Sequence, residues 1–587
     1  MEERRVLESW KAIASYLGRT EKTCRKWEHE LGLPIHRLDN SAKAHVFGYA
    51  DELDRWKEEK LKAAKARKAG LLSGLFGISA LSRQAKRWLI AVTSLLILVI
   101  VGLLVRQIAP RSPSQGAAQA VKGVAILPFS DLSPNKEYEY LCNGMVETLI
   151  DALGKIEGLR VPARTSAFYF KGKDAPLQEI GKKLNVDYVL EASVQVEGEK
   201  LRVIPRLLKV ADGFQIWSEK YDRNRAELFA TQDDIARSVV DALEIKVLAD
   251  KKRPLVRRYT KSLEARDLFM KGQHFFRQGL LSFPHAIECF QQAVDQDPNF
   301  ALAYAWTGIS YEYLGYGGHL PVEEMASKAK EAALKALEID GEIVEAVTTL
   351  AGLKARYEWD FAGAEAEFKR AIRINPSYPL SHFGYCLLLS CLGRHEESIA
   401  ENRKALELDP LSSMMSANLA DRLIYARKFD QATEVAKKGL ELDPYQVGFF
   451  MNLVKTYSLA GRFAEAHQVI ARHDDLLRLK GWEEVNIRDA HASQSALVYA
   501  LEGKRRECLE QIEIIKDSIR NKVFTISVII AYAYGALGEK DEAFAWLEKA
   551  FQAREPYLIY LNVNPQGDSL RDDPRFKDLV RRIGLEK

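Results

Sequence analysis

The feature that most constrains this chain is a helical phrase that recurs at a fixed interval and always ends in the same kind of turn. KALEID, RAIRIN, KALELD and KGLELD run into Asp340-Gly341, Asn375-Pro376, Asp409-Pro410 and Asp443-Pro444. From position 341 the intervals are 35, 34 and 34 residues. An earlier copy ends at Asp297-Pro298, and the 43 residues from 298 to 341 imply an insertion near Tyr316-Gly317-Gly318-His319. Ala293, Ala336, Ala371 and Ala405 fall in the second helix of each unit, and Gly308, Gly352, Gly393 and Gly461 at close-packing or turn points. A helix pair of this length cannot bury its apolar face alone, so the copies must stack into a superhelix with a concave surface. After Asp443 the register weakens, although Ala531–Gly538 and Glu542–Phe551 give one more pair and Glu555–Leu585 reads as a terminal cap. Tyr304, Tyr311, Tyr385, Tyr457 and Tyr534 are read as repeat core.

The 34-residue helix-turn-helix period resembles the tetratricopeptide (TPR) repeat. The resemblance covers about residues 260–587 and implies an all-α solenoid with a protein or peptide partner in its groove.

A second segment breaks the average composition. Trp88 to Val105 reads WLIAVTSLLILVIVGLLV, 18 residues without a charge. As a helix rising about 1.5 Å per residue it reaches roughly 27 Å, the thickness of the hydrocarbon core. With 87 residues ahead of it, it is read as one transmembrane helix and not a cleaved signal peptide. Residues 61–87 are basic, whereas after the span only Arg106, Arg111 and Lys122 stand nearby; the N-terminus is therefore expected in the cytoplasm and the C-terminal region in the periplasm or outside the cell. The formal charge of +4 then splits, with 19 Lys+Arg against 12 Asp+Glu in residues 1–87 and 66 against 69 beyond them. A basic stretch from Lys60 to Lys68 suits anionic lipid, and residues 106–120 read as a linker.

The cytoplasmic piece carries its own pattern. Trp10, Ile13, Ala14 and Leu17 share one helical face, Gly18 turns the chain, and Thr20 caps a second helix. In that helix Thr23, Cys24, Trp27 and Leu31 are expected to face the first, with Lys22, Arg25 and Lys26 outward. Ile35–Leu38 and Ala44–Phe47 flank a polar turn, and a closing helix follows from Asp51 with Leu53 and Trp56 as its apolar contacts. The phrases TCRKWE, LGL and VFGY in this order resemble the MerR/excisionase type of winged helix-turn-helix, over about residues 1–60. Arg19, Lys22, Thr23, Arg25 and Lys26 are then the expected contacts of a recognition helix with double-stranded DNA. Arg37, Lys43 and His45 would meet phosphate from the wing. One such module offers few phosphate contacts, so a homodimer is expected.

Residues 121–250 alternate between apolar strands and amphipathic helices, an α+β pattern. Val124–Pro128 and Leu159–Val161 read as strands, Tyr140–Ile156 and Leu177–Leu184 as helices, and Asp187–Val196 with Lys200–Val210 as a hairpin. Trp217 and a helix over Asp233–Val247 close the domain. VAILPF, VPARTS, VDYVL and WSEKYD resemble the TolB amino-terminal/FlgO-like domain, which implies a sensory or interaction role. Arg164 and Asp222, polar residues inside those phrases, are read as structural.

The chain holds no Walker A loop, no G-x-G-x-x-G after a strand, no H-E-x-x-H and no G-x-S-x-G. The nearest histidine pair, His467 and His473, reads as surface. Cys386 and Cys391 stand i and i+5 on one helix, a poor spacing for metal or disulfide. No catalytic residue, cofactor or metal is therefore expected, and the chain is not read as an enzyme. Taken together, the sequence describes a multidomain, membrane-anchored, one-component transcriptional regulator with a layout resembling CadC-type signalling. The alternative is a membrane-anchored TPR scaffold without DNA binding.

Overall fold

The computed structural model describes residues 6–37, 45–60, 121–245, 254–316, 321–520 and 527–586. Lys43, the basic stretch after Lys60, the 88–105 segment and the 106–120 linker lie outside the described residues. Among the described residues no helix is long and apolar enough to cross a membrane. The chain divides into two compact units, Met1–Ala118 and Gln119–Lys587.

In the first unit β1 (Val6–Leu7) precedes two helices, α1 (Trp10–Leu17) and α2 (Glu21–Leu31). Ser9 accepts from the Ala12 amide, and Gly18, at φ +64°, ends α1. Thr20 takes the Thr23 amide at 3.3 Å, so both helices start on a side-chain cap. β2 (His36–Arg37) and β3 (Val46–Tyr49) follow, then α3 over residues 50–60. The sheet runs β1-β3-β2, all antiparallel. β1 was not expected: two residues are too short to show a period. Ile13, Cys24, Leu33 and Leu53 form the core. Leu31 departs from the expectation, being 42% exposed; its carbonyl instead accepts from the Trp56 indole at 3.0 Å.

The second unit begins with the α+β domain. Its strands are β4 (Lys122–Ile126), β5 (Ser130–Asp131), β6 (Leu159–Arg160), β7 (Tyr188–Glu197), β8 (Lys200–Lys209), β9 (Gln215–Ser218) and β10 (Tyr221–Asn224). They order as β10-β8-β7-β4-β6, with β5 on β7 and β9 on β8. β7 and β8 form the expected hairpin, paired from Tyr188↔Lys209 to Glu197↔Lys200. Its helices are α4 (Glu139–Gly154), α5 (Arg164–Phe168), α6 (Leu177–Leu184) and α7 (Leu228–Ala242). β4 is buried on both faces: Val124 and Ile126 pack with α4 and α7, while Ala125 packs with α6. α7 starts five residues before the expected Asp233, because Asn224 and Glu227 form a reciprocal capping box that turns the chain into helix early.

Eight helix pairs follow among the described residues. They are α8/α9 (Leu263–Arg277, Phe283–Gln296), α10/α11 (Ala301–Tyr316, Val322–Ile339), α12/α13 (Val344–Leu353, Phe361–Ile374) and α14/α15 (Pro379–Cys391, His395–Leu408). Then come α16/α17 (Ser413–Tyr425, Phe429–Leu442), α18/α19 (Val447–Leu459, Phe463–Leu479), α20/α21 (Glu484–Glu502, Arg505–Arg520) and α22/α23 (Ser527–Ala536, Lys540–Gln552). Successive first helices pack on one another, which places them on the inner side of the curve. The alanines of the period are fully buried. Tyr385, Tyr457 and Tyr534 are buried and Tyr304 and Tyr311 half-buried, in keeping with a core role.

Three expectations about the C-terminal half are corrected. Three pairs, not one, follow Asp443, because α18–α21 keep the helical apolar stripe without the Asp-Pro turn that marks the period. The stretch after residue 555 does more than cap the last helix. Tyr560 meets Tyr425 at 5.4 Å, Arg427 grips Asp568 with two bonds of 2.6 and 2.8 Å, and Arg554 bonds the Tyr357 carbonyl at 2.5 Å. α24 (Pro574–Ile583) then adds Phe576, Leu579 and Ile583 to a core shared with α12–α16. His473, expected at the surface, is buried: Gln494 bonds its Nδ1 at 2.9 Å and Phe450 stacks on it at 4.8 Å.

Candidate functional site: the basic helix and the inner face of the repeats

Of the side chains expected to meet DNA, Lys22, Arg25 and Lys26 project from α2 into solvent. Arg25 lies over the Trp10 ring at 4.9 Å, and Lys26 reaches Glu30 at 3.8 Å. Thr23 is turned back into the helix start, its hydroxyl 2.9 Å from that of Thr20. Arg19 is exposed, bonded to the Gly18 carbonyl and 6.0 Å from the Trp27 ring. Arg37 pairs with Glu28 at 2.6 Å, a carboxylate on α2 that holds its guanidinium charged. His45 is exposed at the start of β3, and Lys43 lies outside the described residues. The structure thus brings Lys22, Arg25 and Lys26 together on one face and commits Thr23 and Arg37 elsewhere.

The inner face of the repeats is largely occupied by the chain itself. α4 lies along α8, and Glu147 on α4 is the hub: it accepts from Gln273 at 2.8 Å, pairs with Arg164 at 2.6 Å and reaches Arg277 at 3.6 Å. Burial pushes the Arg164 guanidinium down to about 10, while Glu147 works to keep it charged. Arg164 is therefore structural as expected, but its structure is an interface. Asp222, by contrast, is exposed on β10 and paired with Arg202 and Lys220.

The closest joint uses the turn of the period. After Asp297, Asp340, Asn375 and Asp443, the turn side chain accepts the amide two residues on, at 3.0–3.1 Å. At Asp409 the ring is opened by Ser166 from the N-terminus of α5. The Ser166 hydroxyl accepts the Leu411 amide at 2.8 Å and donates to Asp409 Oδ1 at 2.5 Å, while the Ser166 amide donates to the same oxygen at 3.0 Å. Beside it the Ala163 amide donates to the Leu408 carbonyl at 2.7 Å. Sequence reasoning missed this joint; the only trace was that VPARTS and the Asp-Pro turn were each singled out separately.

Between α4 and the first five repeats lies a cavity of about 410 Å³. A second, of about 130 Å³, opens on the inner faces of α16, α18, α20 and α22, lined by Met451, Ser493, Ile529 and Tyr532. At its wall Asp421 pairs with Lys455 at 2.7 Å and Arg422 at 2.6 Å. Burial alone would raise the Asp421 carboxyl, yet these two cations hold it down to about 2.

Comparison with known proteins places the repeats. The tetratricopeptide repeat family matches residues 526–557, which is the α22/α23 pair. A curated relative, "Putative adenylate cyclase 3" of Rhizobium meliloti (strain 1021), is 33% identical over 203 residues. That stretch is 34% of this chain and 34% of the relative, so the chain spans about a third of the length of the curated relative it matches. Among solved structures, a thermophilic TPR protein of Thermus thermophilus is 19% identical, covering 32% of this chain and 94% of that one at a TM-score of 0.28. Pseudomonas aeruginosa pilF is 20% identical, covering 37% and 90% at 0.28. The chain carries TPR repeats and is mostly helical with a smaller sheet region, a build suited to protein–protein interaction.

Proposed function

We propose that this chain is an interaction protein whose repeats hold the α+β domain against their first half and offer their second half to a partner. The observation that carries this reading is the division of the inner face. Glu147, Ser166 and their partners occupy it from α8 to α16, whereas Met451, Ser493 and Ile529 line an open pocket further along. A pocket of about 130 Å³ holds one side chain, so the partner is a peptide or protein segment anchored there by an apolar residue. A photo-crosslinking amino acid at position 451 or 529 should give protein adducts that the same group at Lys438, on an outer helix, does not. Equal labelling at all three positions refutes the reading. The 88–105 segment is proposed to anchor the chain with its N-terminus in the cytoplasm, its support being 18 uncharged residues behind a basic flank. A reporter active only outside the cytoplasm, fused after residue 120, should be active; silence reverses the topology.

A second reading is favoured by one observation, the exposed Lys22, Arg25 and Lys26 on a helix capped at both ends beside a three-stranded sheet. On that reading the first unit binds double-stranded DNA and the whole is a membrane-anchored transcriptional regulator. Residues 1–70, fused to a dimeriser, should retard duplex DNA, and replacing Lys22, Arg25 and Lys26 by Ala should lower the salt slope by about three. Equal retardation by both forms would remove this reading.

A further inference from the structure

The α+β domain leaves one edge of its sheet open. β10 ends the strand order, and among the described residues no strand pairs with its outer side. β9 lies on the same side of β8, and the two form one run that breaks where Glu219 stands opposite Pro205. Pro205 has no N–H to offer there, and its carbonyl accepts the Ser218 hydroxyl at 2.9 Å instead.

The phase of the ladder fixes which backbone groups face outward. Just past β10 the Arg225 amide donates to the Glu199 carbonyl at 2.7 Å, continuing the register set by Asn224↔Lys200. Bonded positions alternate along an antiparallel pair, so Tyr221 and Arg223 turn their N–H and C=O toward β8. Lys220 and Asp222 turn theirs to the open edge. The Asn224 amide is taken by Glu227 at 3.3 Å, which closes the free run. Such an edge is a template for another strand.

The side chains name the strand it fits. Residues 219–223 read Glu-Lys-Tyr-Asp-Arg, and their charges invert through Tyr221. A second copy brought antiparallel about a two-fold axis at Tyr221 sets Lys220 opposite Asp222, and Glu219 opposite Arg223. Lys220 and Asp222, both exposed, are the residues whose backbone groups face outward, so each such pair also exchanges main-chain bonds. Arg223 already holds Asp234 at 2.7 Å, so the Lys220–Asp222 pairs carry the selectivity. Moving the axis to position 220 or 222 sets Lys220 against Lys220, or Asp222 against Asp222. Like charges directly opposite are destabilising, and a shift of the axis between residues would flip the faces. One register remains.

We propose that two copies of this chain pair through β10, extending one sheet across both molecules with Lys220 of each copy against Asp222 of the other. The contact uses neither Ser166 nor Glu147, so it leaves the joint between the α+β domain and the repeats intact.

Two differently tagged forms of the full chain, purified together in detergent, test this: one tag is captured and the other counted. The wild-type pair should be captured well above a tag-only control. Lys220→Asp and Asp222→Lys each set like charges across the axis, and each should capture its own kind about tenfold less. Mixing Lys220→Asp with Asp222→Lys restores opposite charges at both positions and should recover the wild-type level. Recovery in the mixture also shows that both variants are folded. The proposal is overturned if the wild type captures no second copy, as when the edge takes a strand from another protein. It is overturned too if both variants capture themselves as the wild type does, or if the mixture captures no better than either variant alone.

Discussion

The joint at Ser166 gives a prediction whose size follows from the structure. Ser166→Ala deletes the bond to Asp409 Oδ1 (2.5 Å) and the one from the Leu411 amide (2.8 Å). The second loss is recoverable, because four sister turns show an Asp or Asn closing on the amide two residues on at 3.0–3.1 Å. What remains is one hydrogen bond to a buried carboxylate, about 2 kcal/mol. Asp409→Ala is worse: it strips the acceptor from both the Ser166 amide and hydroxyl, and the buried amide then has no partner, for about 4 kcal/mol in all. Hydrogen exchange resolved by residue reads these as local opening. In Ser166→Ala the Ala163 and Ser166 amides should exchange about 30-fold faster, with β7 unchanged, and Asp409→Ala should exceed it at the same amides. Unchanged exchange at Ser166, or a larger effect from Ser166→Ala than from Asp409→Ala, would refute the reasoning.

Other outcomes follow from the same contacts. The Glu345 carboxyl, raised from 4.5 to about 7, binds its proton in the folded state where the unfolded chain has lost it. Stability should therefore fall as pH rises from about 4.5 to 7, by about 3 kcal/mol, and Glu345→Gln should flatten that slope in denaturant titrations. Asp421, held near 2, works in the opposite sense: its contribution is complete above the unfolded value of 3.8 and is lost as pH falls toward 2, a loss that Asp421→Asn should abolish. Gly439→Ala places a methyl group inside the Phe449 ring where α17 meets α18, and should destabilise by about 1–3 kcal/mol in the same titrations. Cys24, Cys142, Cys386, Cys391 and Cys508 are buried, and burial raises their thiols, the last four to about 12. Native protein treated with a thiol reagent should therefore react first at Cys289, which is only half-buried.

The repeats were legible because their turns carry a chemical mark. Asp297, Asp340, Asn375 and Asp443 each hold one extended conformation after a helix, and only a few residue types do that well. Where the mark is absent, as in α18–α21, the helices persist on apolar spacing alone and the period disappears from view. In the α+β domain the hairpin was legible from alternation, but the start of α7 was not, since it depends on a reciprocal bond between Asn224 and Glu227. The first unit was read down to its cap at Thr20 and missed at β1, whose two residues gain meaning only against β3. The site was least legible. Glu147, Ser166, Gln273 and Asp409 lie far apart in sequence and differ in type, and no spacing rule joins residues that meet only after the chain folds back on its repeats.

The serine that opens the turn at Asp409 also sets a problem of timing and choice. Ser166 leaves the ribosome 243 residues ahead of its acceptor, a delay of about 10–50 s at ordinary rates of synthesis. When the acceptors arrive they come as near copies, at 297, 340, 375, 409 and 443, each presenting the same oxygen in the same turn. A hydroxyl cannot tell such copies apart. The choice falls to groups that occur once: Glu147 against Gln273 and Arg277. A repeat array that lends its own punctuation as a docking point thus carries a built-in hazard of shifted registers, and a few unrepeated side chains are what keep its first domain in step.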